Sequence, residues 1–239
     1  MNLILTMAGR YSRFINEGYK FPKYLLPWGK NSILFEIIYH LTKDDSIKNI
    51  YLIANKRDGI YMPHVRNILK SIGKSPDHLF LINDTKGQAK TAQIAIEKIN
   101  IRFGNIHGPI LFHNIDTILY DRNLKNASSL LSKHDGYIDV FKSNNSNYSY
   151  VLTDQNIVKS IAEKILISKY ATSGLYGFSS FEKFNNFYDN SNDLYISDVY
   201  KRMIDRGQQI IISDVNDEND TIVLGTPNEY LNSSYILDL

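Results

Sequence analysis

Gly9 is followed at short spacing by three cations, Arg10, Arg13 and Lys23, a set suited to holding phosphate. Glycine admits positive φ or a close ligand approach to the backbone. Free N–H groups at such a turn, with cations beside them, make an anion site. The apolar-biased run Leu3 to Met7 precedes the turn and suits a strand buried on both faces of a parallel sheet. Ligands of an open α/β sheet bind at the carboxyl ends of such strands. Pro22 and Pro27 bracket Lys23, Tyr24, Leu25 and Leu26. Each proline fixes φ at about −65° and biases its predecessor toward extended backbone, so Lys23 is held on a stiff segment. Loops of this kind also carry Gly, Arg and Lys for solubility alone; the proline-bracketed block favours the ligand reading.

A second set follows the apolar run Pro109 to Phe112, as His113-Asn114-Ile115-Asp116. An Asp at the carboxyl end of a parallel strand faces the ligand crevice, and its hard oxygens suit Mg²⁺ bound to phosphates. The competing reading is an Asp capping the next segment. In Thr85-Lys86-Gly87-Gln88-Ala89, glycine and small residues let a planar group lie against backbone, and Gln88 offers both donor and acceptor. An ordinary helix start would look the same. Glu163-Lys164 reads by itself as a surface pair.

The elements that must position these residues alternate through the first half. A helix is expected over 31–43 from the stripe Ile33, Leu34, Ile37, Ile38 and Leu41, with Asn31 or Ser32 as its cap. Strands are expected at 49–54, 79–82 and 109–112, and helices at 64–72, closed by Gly73, and at 91–99. This is a β-α-β-α-β-α-β pattern. The second half has strand candidates at 138–141, 148–152, 157–162, 173–178, 210–213 and 221–224, with a polar turn at 144–147. Helices are expected at 181–188 and at 197–205, the latter closed by Gly207. The fold class is α/β: a doubly wound, Rossmann-like mixed sheet, mostly parallel, with a small antiparallel flap in the second half. Neither an internal repeat nor a linker divides residues 1–239, so one domain is expected.

Composition narrows the class. The chain has 239 residues, 43% hydrophobic, with net charge +2 and no cysteine. Disulfides, thiolate metal sites and a cysteine nucleophile are excluded. The weak charge argues against nucleic acid as a partner. No apolar run approaches the roughly 20 residues that span a bilayer, and no secretory leader pattern opens the sequence, so a cytoplasmic protein without a membrane partner is expected. A homo-oligomer is left open.

The block Met7-Ala8-Gly9-Arg10-Tyr11-Ser12-Arg13-Phe14, with Gly18-Tyr19, Pro22-Lys23 and Leu26-Pro27, resembles the N-terminal signature of sugar-nucleotide pyrophosphorylases. Gly9 and Arg13 match that family's loop, while Tyr11 stands where its second glycine belongs. The resemblance runs from Asn2 to Leu231 and includes the late motif Gly225-Thr226-Pro227. It implies transfer of a nucleotide from a nucleoside triphosphate to a phosphate-bearing small-molecule acceptor, with Mg²⁺ as cofactor, in surface (capsule-type) polysaccharide synthesis. The acceptor is a sugar 1-phosphate or a phospho-alcohol such as phosphocholine or glycerol phosphate, the latter served by a cytidylyltransferase. The resemblance assigns catalysis to Arg13 and Lys23, and nucleotide contacts to Ala8, Gly9, Arg10, Tyr11, Gly87, Gln88 and Asn114. It assigns the metal to Asp116 and the acceptor to Glu163, Lys164 and Gly174. Residues 1–120 would form the nucleotide half and 121–239 the acceptor half. Many members carry a second metal-binding Asp where this chain has Val223; Asp220 and Asp198 are the substitutes nearest at hand. Tyr11 and Val223 also fit a degenerate, nucleotide-binding regulatory member. A metal-dependent glycosyltransferase is a further alternative, against which the Pro22-Lys23 block argues.

Overall fold

The computed structural model describes residues 1–43 and 45–234. In chain order the elements are β1 (Asn2–Met7), α1 (Ser12–Asn16), the two-residue pair β2 (Pro27–Trp28) and β3 (Asn31–Ser32), α2 (Ile33–Leu41), β4 (Asn49–Asn55), α3 (Met62–Ser71), β5 (Leu79–Ile82) and α4 (Gln88–Phe103). There follow β6 (Ile110–Asn114), β7 (Thr117–Leu119), α5 (Leu124–Leu131), β8 (Gly136–Lys142), β9 (Tyr150–Asp154), β10 (Ile157–Ala162) and β11 (Tyr170–Phe178). The described chain closes with α6 (Phe181–Phe187), α7 (Ile196–Asp205), β12 (Ile210–Ile212), β13 (Thr221–Val223) and α8 (Pro227–Ser234).

Among the described residues a nine-stranded sheet runs β5-β4-β1-β6-β11-β8-β12-β10-β9. β5, β4, β1 and β6 pair in parallel, as the alternating first half requires. β11 enters antiparallel between β6 and β8, and β12 pairs in parallel with β8. Seven strands (β1, β4, β5, β6, β8, β9 and β12) therefore run one way, and β10 and β11 run the other. The hairpin β9–β10 is the antiparallel flap. It turns at Gln155 and Asn156, both with positive φ (48° and 69°), the backbone that a two-residue hairpin turn requires. β9 also reaches β11, pairing Tyr150 with Ala171, so the far part of the sheet curls back on itself.

The strands alternate their side chains between two cores. Leu3, Leu5 and Met7 of β1 and Ile50, Leu52 and Ala54 of β4 pack into the core that α2 and α3 cover. Ile4, Tyr51 and Ile53 face the other core, under α4 and α7. Burial on both faces explains why these strands read as continuous apolar runs. α2 starts where Ser32 accepts from the Phe35 N–H, which selects Ser32 over Asn31 as the cap. No helix among the described residues is long and apolar enough to cross a membrane.

Two differences from the expected elements matter for the site. The expected strand 109–112 extends to Asn114, which places that residue at the carboxyl end of β6, where it lines the cleft. The expected helix 91–99 begins at Gln88, so Gly87 is its cap and Gln88 its first residue. Both extensions carry polar residues that an apolar pattern does not include. The ladder β7–β13, which joins Val223 to Thr117, comes from pairing between distant segments, and no local pattern reveals it.

Candidate active site

A cleft of about 1040 Å³ opens at the carboxyl ends of β1 and β6. All thirteen residues to which the resemblance assigns a role line it: Ala8, Gly9, Arg10, Tyr11, Arg13, Lys23, Gly87, Gln88, Asn114, Asp116, Glu163, Lys164 and Gly174. The volume is at the upper end for ligand pockets, enough for two small phosphate-bearing molecules side by side.

The loop after β1 forms one wall. Arg57 stands behind it and donates from Nη2 to the carbonyls of Ala8 (3.2 Å) and Gly9 (2.6 Å). Arg57 also pairs with Asp84 at 2.6 Å, and Arg10 with the same carboxylate at 3.0 Å. Arg13 is exposed and has neither a hydrogen bond nor an ion pair among the described residues, so it is free to meet an anion. Tyr11 caps α1 in the left-handed region (φ 38°, ψ 35°) and donates its hydroxyl to Asp58 at 2.7 Å. Burial and the Asp58 carboxylate push the Tyr11 hydroxyl up to about 12, so it remains a donor at neutral pH.

Lys23 opens a 3-10 turn, Lys23–Leu25, that Pro22 precedes in extended backbone. Its Nζ donates to Asp116 Oδ2 at 2.7 Å. The side chains of the pair are only 15% and 28% exposed. Asp116 lies in the tight connection between β6 and β7, and the Leu224 N–H donates to its carbonyl at 2.7 Å. Burial pushes the Asp116 carboxyl up, but the Lys23 ammonium beside it outweighs burial and holds it below the usual carboxylate range. His113 is fully buried beneath this turn, with Nε2 2.8 Å from the Thr117 carbonyl. Burial lowers its basicity, which fits a residue packed beneath the turn.

Gln88 donates to Asn114 Oδ1, joining α4 to the end of β6. A Cβ on Gly87 would lie 2.3 Å from the Leu194 carbonyl, so glycine there permits backbone contact between α4 and the 188–195 segment. Gly174 sits where β11 breaks register, with φ +89°, and a Cβ on it would lie 2.7 Å from Asn114 Nδ2. At the other end, Glu163 accepts from the Ser149 and Ser197 hydroxyls, the latter at 3.1 Å. Lys164 lies over the Tyr195 ring, 5.9 Å from its centroid.

Mg²⁺ fits the donor set in one way only. Among the described residues no group of three or more His, Asp or Glu side chains could hold a metal alone. Asp116 would share the ion with ligand phosphates and water, which suits the preference of Mg²⁺ for few protein ligands. Neither substitute for the missing second carboxylate serves. Asp198 Oδ2 caps the start of α7, accepting from the Leu194 and Tyr195 N–H groups, and Asp220 does not line the cleft. Val223 does line it. Two carboxylates that sequence reasoning missed line the cleft: Asp84, and Glu229 near Gly225. The Thr-x-x-Glu spacing of Glu229 from Thr226 is a helix-start signature, and Thr226 Oγ1 donates to Glu229 at 2.9 Å. Asp58, Ser149 and Ser197 were also missed, since only the fold brings them near.

No protein-family model and no curated protein matches this chain. Solved structures do. A nucleoside-diphosphate-sugar pyrophosphorylase from Vibrio cholerae RC9 is 23% identical, superposes with TM-score 0.85, and covers 98% of this chain and 99% of its own. The inositol-1-phosphate CTP transferase from T. maritima is 15% identical with TM-score 0.77, over 99% of this chain and 93% of its own. A UDP-glucose pyrophosphorylase complexed with UDP-glucose is 17% identical with TM-score 0.73, over 98% and 97%. This chain is built on the fold that these nucleotidyltransferases share.

Proposed function

We propose that this chain is a nucleotidyltransferase that joins a nucleoside triphosphate to a sugar 1-phosphate and releases pyrophosphate. The observation that carries the reading is Lys23 lying 2.7 Å from Asp116 in a cleft that Gly9 and Arg13 also line. The fold shared with nucleotidyltransferases over nearly the whole chain supports it.

On this reading an anionic oxygen of the acceptor phosphate attacks the α-phosphorus in line. The new P–O bond forms as the bond from the α-phosphorus to the bridging β-phosphate oxygen breaks, and that oxygen leaves in pyrophosphate. The nucleophile is already charged, so no general base is needed. The obstacle is repulsion between two polyanions, and the protein supplies alignment and compensating charge. Arg13 and the backbone at Gly9 hold the departing pyrophosphate. Lys23 stands between the reacting phosphates. Gly87 and Gln88 face the base, and Asn114 the ribose. Glu163 accepts from acceptor hydroxyls, and Lys164 meets the acceptor phosphate. Mg²⁺, held by Asp116 with phosphates and water, would neutralise phosphate charge. Residues 1–120 and 121–239 then serve nucleotide and acceptor within one cytoplasmic domain, whose product feeds surface-polysaccharide synthesis.

A second reading rests on the acceptor end, which Tyr148, Tyr176 and Tyr195 line beside Glu163. Aromatic faces with a carboxylate also suit a phospho-alcohol bearing a cation, the substrate of a cytidylyltransferase. The test is pyrophosphate release from CTP, UTP, dTTP, GTP and ATP with Mg²⁺ against sugar 1-phosphates and phospho-alcohols. Release that requires one triphosphate and one acceptor supports the enzyme and chooses between the readings. Nucleotide binding without release from any pair would instead favour the degenerate regulatory member.

A further inference from the structure

Asp58 lies outside the cleft, in the 3-10 turn Lys56–Tyr61, and is 1% exposed. Its Oδ1 accepts the Tyr11 hydroxyl at 2.7 Å, and its Oδ2 accepts the Tyr24 hydroxyl at 2.9 Å. Tyr11 belongs to the loop that carries Gly9 and Arg13, and Tyr24 directly follows Lys23. One buried carboxylate therefore grips both cationic segments of the cleft. Hydrogen bonds to an ionised acceptor are the strong ones, and two on one carboxylate hold both partners to a fixed spacing. Both tyrosines are protonated donors at neutral pH, and burial pushes both hydroxyls further above the usual phenol range.

The neighbouring residue completes the grip. Arg57 takes the Ala8 and Gly9 carbonyls from the side away from the cleft, which it does not line. In a trans peptide the N–H points opposite the C=O, so the Gly9 and Arg10 N–H groups are turned away from Arg57. A tyrosine with positive φ is strained. The bond to Asp58 offsets that strain and accounts for a bulky residue in a glycine-type loop.

We propose that Asp58 is a positioning residue, which sets the spacing between the phosphate loop and Lys23 through the hydroxyls of Tyr11 and Tyr24. The separate roles of loop and lysine rest on the nucleotidyltransferase reading; the effect on polyphosphate binding does not.

The two hydroxyls should give different signatures. Tyr11→Phe loosens the loop that grips phosphate in ground and transition states alike. It should weaken binding of inorganic tripolyphosphate with Mg²⁺, followed by calorimetry, about tenfold. It should also raise KM with little change in kcat. Tyr24→Phe should leave tripolyphosphate affinity within about twofold and lower kcat about tenfold at unchanged KM. Asp58→Asn should show both effects. Tyr200→Phe is the matched control: its buried hydroxyl donates to the Tyr137 and Gly177 carbonyls away from the cleft, so it should lower Tm and change neither parameter. The proposal is overturned if Tyr11→Phe and Tyr24→Phe behave like Tyr200→Phe, or if the native chain does not bind tripolyphosphate. If native protein binds tripolyphosphate but releases no pyrophosphate from any substrate pair, the enzymatic reading fails. The Tyr11→Phe binding arm then decides the clamp alone.

Discussion

Lys23 and Asp116, 93 residues apart in the chain, meet through a 2.7 Å hydrogen bond in the wall of one cleft. Each keeps the other's charge compensated while the cleft is empty of anions. On the proposed mechanism, a polyanion entering beside Arg13 would compete with Asp116 for Lys23.

Replacing Lys23 with Ala removes the cation that the proposed mechanism places between the reacting phosphates. Turnover should fall on the order of 10²–10³-fold, about 2.7–4 kcal/mol of barrier, as for other preorganised donors. The pair is mostly buried, so leaving Asp116 unpaired should lower Tm, while the circular dichroism of the folded protein should stay close to native. A Lys23→Ala protein with native turnover in the pyrophosphate assay would remove Lys23 from the mechanism.

Asp116 makes a prediction about acid stability. Its carboxyl is held below the usual range, so the folded state gives up its charge at lower pH than the unfolded chain. Its stabilising contribution is complete above about pH 4 and is lost as pH falls through the lower folded value. The Tm difference between native protein and Asp116→Asn should be constant near neutrality and shrink below about pH 4. A difference that grows in acid would contradict the Lys23 pairing.

His113 titrates in the opposite sense. Burial lowers its folded basicity, and Nδ1 has no partner among the described residues. Below about pH 6.5 the unfolded chain takes up a proton that the folded one refuses, so stability falls as pH drops, by up to ~1.4 kcal/mol per pH unit. His113→Gln should flatten the Tm-against-pH curve between about pH 6.5 and 5. An unchanged slope there would show that other groups set it.

Gly87 tests the contact between α4 and the 188–195 segment. Its backbone is extended (φ −176°), so an Ala is barred by space rather than by conformation, its Cβ falling 2.3 Å from the Leu194 carbonyl. Gly87→Ala should cost about 1–3 kcal/mol, the range for overpacking, and should weaken nucleotide binding through Gln88. Denaturant melts and nucleotide titrations read the two effects separately. Native stability would mean that the segment yields.

The alternating first half of the fold was legible because its strands are buried on both faces and its helices on one. Burial writes continuous apolar runs at β1, β4 and β6 and a spaced stripe at Ile33, Leu34, Ile37, Ile38 and Leu41. The late helix pattern at 197–205 was legible for the same reason. α5 was missed although Leu124, Ala127 and Leu131 are buried at helical spacing, because its serines and asparagine suit a loop equally well.

Gly9, Arg13, Lys23 and Asp116 were read from segments at strand ends, where glycine and charge have local meaning, whereas Glu163, Lys164 and Gly174 came only from the family resemblance. The sequence by itself determined which segments bear apolar faces, where strands end in polar turns, and which cations and carboxylates stand at those ends. The tertiary structure alone decided that Lys23 pairs with Asp116, that Ser149 and Ser197 meet at Glu163, and that Asp58 joins Tyr11 to Tyr24. The physical reason is range. Burial and backbone preference act within a few residues and leave periodic marks, whereas an ion pair or a shared carboxylate depends on strand order and register, which no single segment encodes.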